Sequence, residues 1–431
     1  MSVLEIKQLA RKAKEDSVLL AAYSGEERNQ VLEAVAEALL LRKGEIFAAN
    51  ARDLEAAQRD GLPMSVTKRL KFDQQKLDDV VAGIRDLIGL PDPLFRTTLK
   101  RELDEGLVLE QVTCPIGVIG VIFESRPDAL VQIAALCIKS GNCALLKGGS
   151  EASNTNRALY NAIYQAGIEA GFPRGFLTLA ESREEINVLL QCDKDIDLII
   201  PRGSNQFVRY IMDNSKIPVM GHADGICHIY VDSIFDVKKA IPIIMDAKTQ
   251  YVSVCNAVET LLVHRDAAEV LLPALEVEAK TYGAHGVELR GCSKTQRLIH
   301  CGEATEEDFK AEYLDYILAI KVVESMEEAI THINRYGSHH TDAIITEDDE
   351  AAAKFQMLVD SAGVYVNCST RFADGYRYGF GAEVGVSTGK LHARGPVGLE
   401  GLVTYKYKLK GQGHVVGDYA SGAKQFHFKN L

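Results

Sequence analysis

The sequence predicts an α/β protein with two parallel sheets, each covered by helices, and a small β arm. Three observations predict this fold class. Beyond residue 113, short apolar segments alternate with helical patterns, as expected for parallel strands joined by crossover helices. Residues 1–98 carry mainly helical periodicity. Residues 99–113 and the C-terminal segment alternate apolar and polar side chains, which is typical of antiparallel strands.

The N-terminal region is predicted to be a helical scaffold. Ser24 and Glu27 have the spacing of a capping box, and apolar residues repeat on one face from there to Gly44. A second amphipathic helix is expected to begin at about Asp73.

A chain of 431 residues is too long for one compact core, so we expect two domains. The predicted division gives residues 1–98 and 113–225 to a nucleotide-binding domain and 226–395 to a second α/β domain, with the change at the GHADG run near Gly225. Residues 99–112 and 396–431 form the predicted arm, in which the C-terminal strand could pair with the earlier hairpin. Such an arm favours a homodimer.

Composition restricts the class of partner. The chain has 48 basic and 60 acidic residues, a net charge of −12, which opposes binding to nucleic acid or to an anionic membrane. No apolar stretch approaches the length of a membrane span. Nine cysteines without CxxC pairs argue against a disulfide framework and a structural zinc site, so we expect a reducing compartment and no metal.

Polar residues follow several predicted strands. Lys147 ends the strand CALLK, and Gly203 and Ser204 follow the strand DIDLII. A crevice that binds phosphate or ribose can form at such strand ends, although an ordinary solvated lysine and normal strand-to-helix turns are the alternatives. A GxGxxG fingerprint and a P-loop are both missing.

Two further residues are candidates for chemistry. Arg126, in FESRPD, could bind a carboxylate or phosphate through two hydrogen bonds, or be an ordinary surface arginine. Cys255 lies between the small polar residues Ser253 and Asn256 at the boundary of an apolar strand. That position makes a reachable thiol plausible, whereas Cys137 and Cys143 lie in apolar runs and are expected to be core residues.

Several motifs, in this order, resemble the aldehyde dehydrogenase superfamily: IFESRP, LLKGGSEA, GFPRG, RGSN, GHADG and CNAVETLLVH. Two longer segments, AITHINRYGSHHTDAI and GVSTGKLHARGPVGLEGLVTYK, are similar to the branch that reduces glutamyl 5-phosphate. The resemblance covers essentially the whole chain. It implies an aldehyde-dehydrogenase-like fold, with residues 1–98 and 113–225 binding NADP(H) and residues 226–395 carrying the catalytic cysteine.

The resemblance also implies roles for individual residues. Cys255 matches the catalytic thiolate, and Ser125 falls where hydrolytic relatives carry the asparagine that stabilises the oxyanion. The backbone amide of Cys255, Ser125 and Asn256 are therefore candidate donors. The residues implied to bind the cofactor are Lys147, Ser150, Gly203, Ser204 and Glu312. Those expected to bind the anionic substrate are Arg126, His222 and Arg371, the last two on their position near motifs alone.

Two departures from the superfamily pattern carry information. Relatives that prefer NAD have an acidic residue where this chain has Ser150, so a 2′-phosphate is no longer repelled and NADPH is favoured. Hydrolytic relatives have a general base where this chain has Gly221, so the acyl-enzyme is expected to exchange with phosphate rather than with water.

The implied activity is the NADPH-dependent reduction of L-glutamyl 5-phosphate to L-glutamate 5-semialdehyde and phosphate through a cysteine thioester, the second step of proline biosynthesis from glutamate. A separate glutamate 5-kinase would supply the substrate and could contact the enzyme transiently in the cytoplasm. One alternative is a hydrolytic, NAD-dependent aldehyde dehydrogenase, which Gly221 in place of the general base argues against. The other is a catalytically silent binding protein, which the presence of Cys255 and Lys147 argues against.

Overall fold

A computed structural model describes residues 3–124, 126–181, 184–283 and 286–431. The helices are α1 (Val3–Leu20), α2 (Gly25–Leu41), α3 (Lys43–Arg59), α4 (Met64–Leu70), α5 (Gln74–Gly89), α6 (Pro127–Lys139), α7 (Ser153–Glu169), α8 (Glu184–Leu189), α9 (Asn205–Asn214), α10 (Val237–Thr249), α11 (Arg265–Thr281), α12 (Ser293–Gln296), α13 (Met326–Tyr336), α14 (Asp349–Leu358) and α15 (Val416–Ala420). Among the described residues, no helix is both long enough and apolar enough to span a bilayer.

The strands are β1 (Thr97–Asp104), β2 (Leu107–Pro115), β3 (Val118–Phe123), β4 (Cys143–Lys147), β5 (Leu177–Ala180), β6 (Leu198–Arg202), β7 (Cys227–Val231), β8 (Val258–His264), β9 (Glu288–Gly291), β10 (Gly302–Glu303), β11 (Ile317–Val323), β12 (Thr341–Ile345), β13 (Gly363–Val366), β14 (Gly385–Ser387), β15 (Gly395–Val397), β16 (Val403–Lys410) and β17 (Lys429–Asn430).

The helical N-terminal region is confirmed. Ser24 and Glu27 form both hydrogen bonds of a capping box at the start of α2. The side chain of Asp73 accepts a hydrogen bond from the backbone of Lys76 and so caps α5, whose buried face includes Leu77 and Ile84. These caps satisfy amide groups that a helix start leaves without partners.

The first parallel sheet has the strand order β5-β4-β3-β6. Strand β3 lies between β4 and β6, and all its pairings are parallel. The carboxyl ends of these three strands therefore meet at one edge of the sheet, which is where Lys147 and Gly203 were expected to lie together.

The second parallel sheet has the order β10-β9-β11-β8-β7-β12-β13. Helices cover both faces, because separate apolar clusters pack on each side: one contains Leu261 and Leu271, the other Leu262 and Phe355. Strands β8 and β12 are accordingly buried along almost their whole length, as expected for parallel strands covered on both faces.

The arm is an antiparallel sheet with the order β16-β2-β1-β17. Strands β1 and β2 form the expected hairpin, with Gly106 at a positive φ of 73° in the turn. The predicted pairing of the C-terminal segment with this hairpin is confirmed, since β16 pairs with β2 from Val403 to Lys410.

One segment packs differently from the expected division. Val384, Val397, Leu399 and Leu402 belong to the apolar core of the first sheet, together with residues such as Leu130. The predicted boundary at 395 therefore does not coincide with a change of core. The chain returns to the first sheet after β13 because these apolar side chains are buried there, a long-range contact that leaves no local sequence signal.

Candidate active site

Cys255 lies in the loop between α10 and β8 and is half-buried. The backbone of Gly225 presses against it: a Cβ atom on Gly225 would lie 2.3 Å from the Cα of Cys255 and 2.5 Å from its Cβ. The thiol of Cys227 donates a hydrogen bond to the carbonyl oxygen of Cys255 at 3.2 Å. Gly225, the last residue of the GHADG run, therefore restrains the backbone of the cysteine loop.

Four loops meet beside this cysteine, each of them leading into a strand of the second sheet. Cys255 precedes β8, Gly225 precedes β7, His340 precedes β12 and Glu312 precedes β11. Strands β11, β8, β7 and β12 are consecutive neighbours and parallel. These residues therefore lie at the amino-terminal edge of the second sheet, whereas Lys147 and Gly203 lie at the carboxyl edge of the first sheet.

Two histidines flank the thiol. One ligand-capable atom each of His222, Cys255 and His340 lies within 4.8 Å of the others. The Nδ1 atom of His222 contacts the carbonyl oxygen of Val386 at 2.9 Å, and burial lowers the pKa of this imidazole. Sequence reasoning selected His222 and missed His340. The GSHHT run gave no local signal for it, because its proximity depends on the strand order.

The side chain of Asn256 forms hydrogen bonds with the loop that contains Arg371 and Ala373. Its Nδ2 donates to the carbonyl oxygen of Ala373 at 2.8 Å, and its Oδ1 accepts a hydrogen bond from Arg371. The Arg371 Nε donates to Gln250 at 3.0 Å. Asn256 therefore orients Arg371 beside the cysteine loop, while its role as an oxyanion donor stays a prediction. Ser125 lies outside the described residues.

A basic cavity opens next to the cysteine loop. Its lining consists of Met64, Lys68, Arg69, Lys76, Arg126, Asp128, Tyr251 and Ser253. Arg126 is exposed there, and Asp128 forms an ion pair with Lys76 at 3.2 Å. Lys68 and Arg69 come from α4. Sequence reasoning missed them, because this short helix carries no motif and is far from the cysteine along the chain.

Four of the five predicted cofactor residues, Lys147, Ser150, Gly203 and Ser204, lie at the carboxyl edge of the first sheet, whereas Glu312 precedes β11 of the second sheet. Lys147, at the end of β4, is buried, and its Nζ donates to the carbonyl oxygen of Gly148. Ser150 is exposed at the start of the turn that leads to α7. The carboxylate of the next residue, Glu151, folds back onto Gly149, where a Cβ atom would lie 2.1 Å from its Oε1. An acidic group is therefore present one position later than the superfamily pattern has it.

The Gly203–Ser204 step is held by Glu124. The backbone amide of Ser204 donates to Glu124 Oε2 at 3.1 Å, and a Cβ on Gly203 would lie 2.6 Å from the same oxygen. The side chain of Asn205 donates to Glu312. The last contact joins the turn after β6, which contains Ser204, to the loop before β11, which contains Glu312. Glu124 and Asn205 were not selected from the sequence as site residues, although they lie within the quoted motifs FESRPD and RGSN.

Comparison with known proteins follows this geometry. The model of the aldehyde dehydrogenase family matches residues 2–289. The chain is 58% identical to the gamma-glutamyl phosphate reductase of Acetivibrio thermocellus over 428 residues, 99% of both chains. It is 54% identical to gamma-glutamyl phosphate reductase 1 of Synechocystis sp. over 431 residues, 100% of this chain and 99% of that one.

A solved structure agrees. The crystal structure of the gamma-glutamyl phosphate reductase of Thermotoga maritima superposes with a TM-score of 0.93 at 41% identity, covering 95% of this chain and 99% of that one. An acetylating aldehyde dehydrogenase from Geobacillus thermoglucosidasius, 18% identical, has a TM-score of 0.64 over 96% of this chain and 98% of that one, which shows the shared fold.

Proposed function

The chain belongs to the aldehyde dehydrogenase family and, within it, to the gamma-glutamyl phosphate reductases, and from this we propose that Cys255 is the nucleophile that receives the glutamyl group. The reaction is the reduction of L-glutamyl 5-phosphate to L-glutamate 5-semialdehyde and phosphate in proline biosynthesis. The contact that best supports Cys255 is the backbone of Gly225, which leaves no space for a side chain behind the cysteine.

The cysteine acts first. The Cys255 thiolate attacks the γ-carbonyl carbon, the acyl C–O bond breaks and phosphate leaves, so that a thioester forms. Backbone amides of the cysteine loop, with Asn256 and Ser125 as further candidates, stabilise the oxyanion of each tetrahedral species. When NADPH is bound, its nicotinamide supplies the hydride that reduces the thioester. The resulting thiohemiacetal returns its electron pair to sulfur and releases the aldehyde, which cyclises spontaneously.

We place the dinucleotide where the turns after β4 and β6 approach the loop before β11. Lys147 and Ser204 offer donors at strand ends, and Glu312 offers a carboxylate for ribose hydroxyls. We assign the preference for NADPH to Ser150, where NAD-specific relatives carry an acid. The carboxylate of Glu151 is turned onto Gly149 instead.

The basic cavity fits the substrate, which carries a carboxylate and an acyl phosphate. Arg126, with Lys68 and Arg69, surrounds an opening that also includes Ser253, two residues before the nucleophile. Arg371 and His222 lie on the other side of the cysteine loop. Such cations would bind both anionic groups and compensate for the acidic net charge of −12.

We also propose a cytoplasmic homodimer that receives its substrate from a separate glutamate 5-kinase. Tyr405, Tyr407 and Leu409 on the edge strand β16 are more than half exposed, at 54%, 59% and 58%. A second copy would cover this apolar stripe and the open strand edge.

Sedimentation tests the dimer. Tyr407→Lys should lower the observed molecular mass, whereas Val270→Lys, on an exposed face of α11, should not.

The nucleophile assignment is tested in the reverse direction. Purified protein receives cyclised glutamate 5-semialdehyde and NADP, with and without phosphate, and NADP reduction is followed. We expect turnover that requires phosphate and disappears in Cys255→Ala, while Cys114→Ala in the arm retains it. Turnover without phosphate would contradict acyl transfer to phosphate, and full activity of Cys255→Ala would contradict the nucleophile assignment.

A further inference from the structure

The side chains of His222, Cys255 and His340 form a cluster with the composition of a metal site. Their ligand-capable atoms lie within 4.8 Å of one another, and His340 is fully buried while the other two are half-buried. In a tetrahedral site with Zn–N near 2.0 Å and Zn–S near 2.3 Å, ligand atoms are about 3.3–3.6 Å apart. Side-chain rotations that shorten these separations by up to about 1.5 Å would therefore suffice.

The hydrogen bonds of both imidazoles leave the same ring nitrogen for a ligand. The Nδ1 of His222 donates to the Val386 carbonyl oxygen at 2.9 Å, because a carbonyl can only accept. The Nδ1 of His340 contacts the hydroxyl of Thr341 at 2.9 Å. In His222 the lone pair is therefore on Nε2, and in His340 it is on Nε2 when Nδ1 donates to the hydroxyl of Thr341. A metal-bound histidine is oriented in the same way, with its other nitrogen donating to an oxygen.

One of these nitrogens is buried without a hydrogen-bond partner. The Nε2 of His340 has essentially no accessible surface and no partner among the described residues. A buried polar atom in this state is costly for the fold. The Nε2 atoms of His228 and His332 are also buried without a partner, but that of His340 lies in the cluster with His222 and Cys255, and this combination points to a group that completes it.

The charges around the cluster favour a soft metal ion over a hard one. The acidic residues Glu312 and Asp224 and the basic residue Arg202 all lie near His222. Arg371 donates a hydrogen bond to Asn256, the residue that follows the cysteine. Since acidic and basic groups oppose each other here, charge alone gives a cation little, and imidazole and thiolate ligands favour zinc-like ions over magnesium or calcium.

We propose that His222, His340 and Cys255 bind one thiophilic divalent ion such as Zn²⁺, and that this ion inhibits the enzyme. Binding displaces the thiol proton to solvent and ties the sulfur electron pair to the metal. Water occupies the fourth position, as in open zinc sites. The inhibitory part rests on the proposed role of Cys255 as nucleophile, because a metal-bound thiolate cannot attack the acyl phosphate, whereas the binding part does not depend on it.

Binding can be measured without turnover. The full-length protein, freed of metal with a chelator, is titrated with CoCl₂ and its absorbance recorded. We expect one ion per chain, a sulfur-to-cobalt charge-transfer band in the near ultraviolet, visible bands of a four-coordinate ion, and loss of all bands on adding ZnCl₂. His340→Ala should weaken binding by about tenfold or more. His340→Gln serves as a second variant should the alanine variant not fold.

Cysteine variants separate this site from other thiols. Cys255→Ala should lose the charge-transfer band, and Cys114→Ala should keep it. A band that persists in Cys255→Ala, or an unchanged cobalt affinity in both His340 variants, would overturn the site.

The inhibition is tested separately. Zinc at the concentration that displaces cobalt should abolish turnover, and chelator should restore it. Displacement without inhibition would overturn the regulatory role. A wrong assignment of the nucleophile would instead appear as activity in Cys255→Ala, in the absence of any metal.

Discussion

A Cβ atom on Gly225 would lie 2.3 Å from the Cα of Cys255 and 2.4 Å from its carbonyl oxygen. Both atoms belong to the backbone of the cysteine loop, so a methyl group can be accommodated only if that loop moves. A displacement of about 1 Å at a reacting centre costs about a hundredfold in rate. We therefore expect Gly225→Ala to lower kcat about a hundredfold.

A nearby glycine provides the control for this change. The closest atoms to a Cβ on Gly221 belong to Pro201, at 3.5 Å, which is an ordinary contact distance. Gly221→Ala should keep kcat within about threefold of the wild type. Equal kcat values for the two alanine variants, with both folded by circular dichroism, would show that the Gly225 contact does not position the nucleophile.

The space at Gly221 also allows a gain of function. A glutamate there would restore a carboxylate at the position of the general base in hydrolytic relatives. We expect Gly221→Glu to oxidise glutamate 5-semialdehyde with NADP in the absence of phosphate, at least about tenfold faster than Gly221→Gln, which has the same length but no base. Equal phosphate-independent rates in the two variants would contradict the explanation that a missing base protects the thioester.

Cofactor preference should depend on Ser150. In Ser150→Glu a carboxylate would face the 2′-phosphate of NADPH, and we expect kcat/KM for NADPH to fall about tenfold or more while that for NADH changes little. Ser150→Gln controls for the size of the side chain. A similar loss in both variants would indicate steric exclusion, and no loss in either would move the phosphate site away from Ser150.

Acid should destabilise the second sheet through His332. Burial, with His228, Lys321 and Arg335 nearby, lowers the pKa of this imidazole to about 3. Between about pH 6.5 and pH 3 the unfolded chain therefore binds a proton that the folded chain does not. The contribution of His332 to stability is complete above pH 6.5 and falls by about 1.4 kcal/mol per pH unit on acidification.

Urea unfolding at pH 7 and pH 5 measures this effect. From pH 7 to pH 5 the free energy of unfolding should decrease in both proteins. The decrease should be about 2 kcal/mol smaller in His332→Gln than in the wild type. His300→Gln removes an exposed histidine and should keep the wild-type difference. Identical pH dependence of His332→Gln and the wild type would show that His332 does not titrate differently in the folded state.

The sequence predicts the site where its signals are local. Lys147 and Ser204 follow strands that are recognisable from their own residues, and both lie at one sheet edge as expected. His340 and Lys68 carry no such signal. The first reaches Cys255 only because β12 lies two strands from β8, and the second only because α4 borders the same cavity as Ser253.

The general rule that ligands bind at the carboxyl ends of parallel strands fails for the residues around Cys255. It directs attention to the carboxyl ends of parallel strands, which suits the cofactor side. Cys255, Gly225 and His340 instead precede their strands. Likewise, the packing of Val384 and Leu402 into the first core depends on the return of the chain from the second sheet, which periodicity along the chain does not reveal.

Placement of Cys255 before β8, with Gly225 before β7 and His340 before β12, has a consequence for folding. The three loops acquire their mutual positions only when the three strands have paired. The active site therefore cannot form before the central strands of the second sheet have assembled. Recovery of activity after dilution from denaturant should therefore coincide with acquisition of β structure. A thiol-reactive probe that distinguishes Cys255 would then report the order in which this domain assembles.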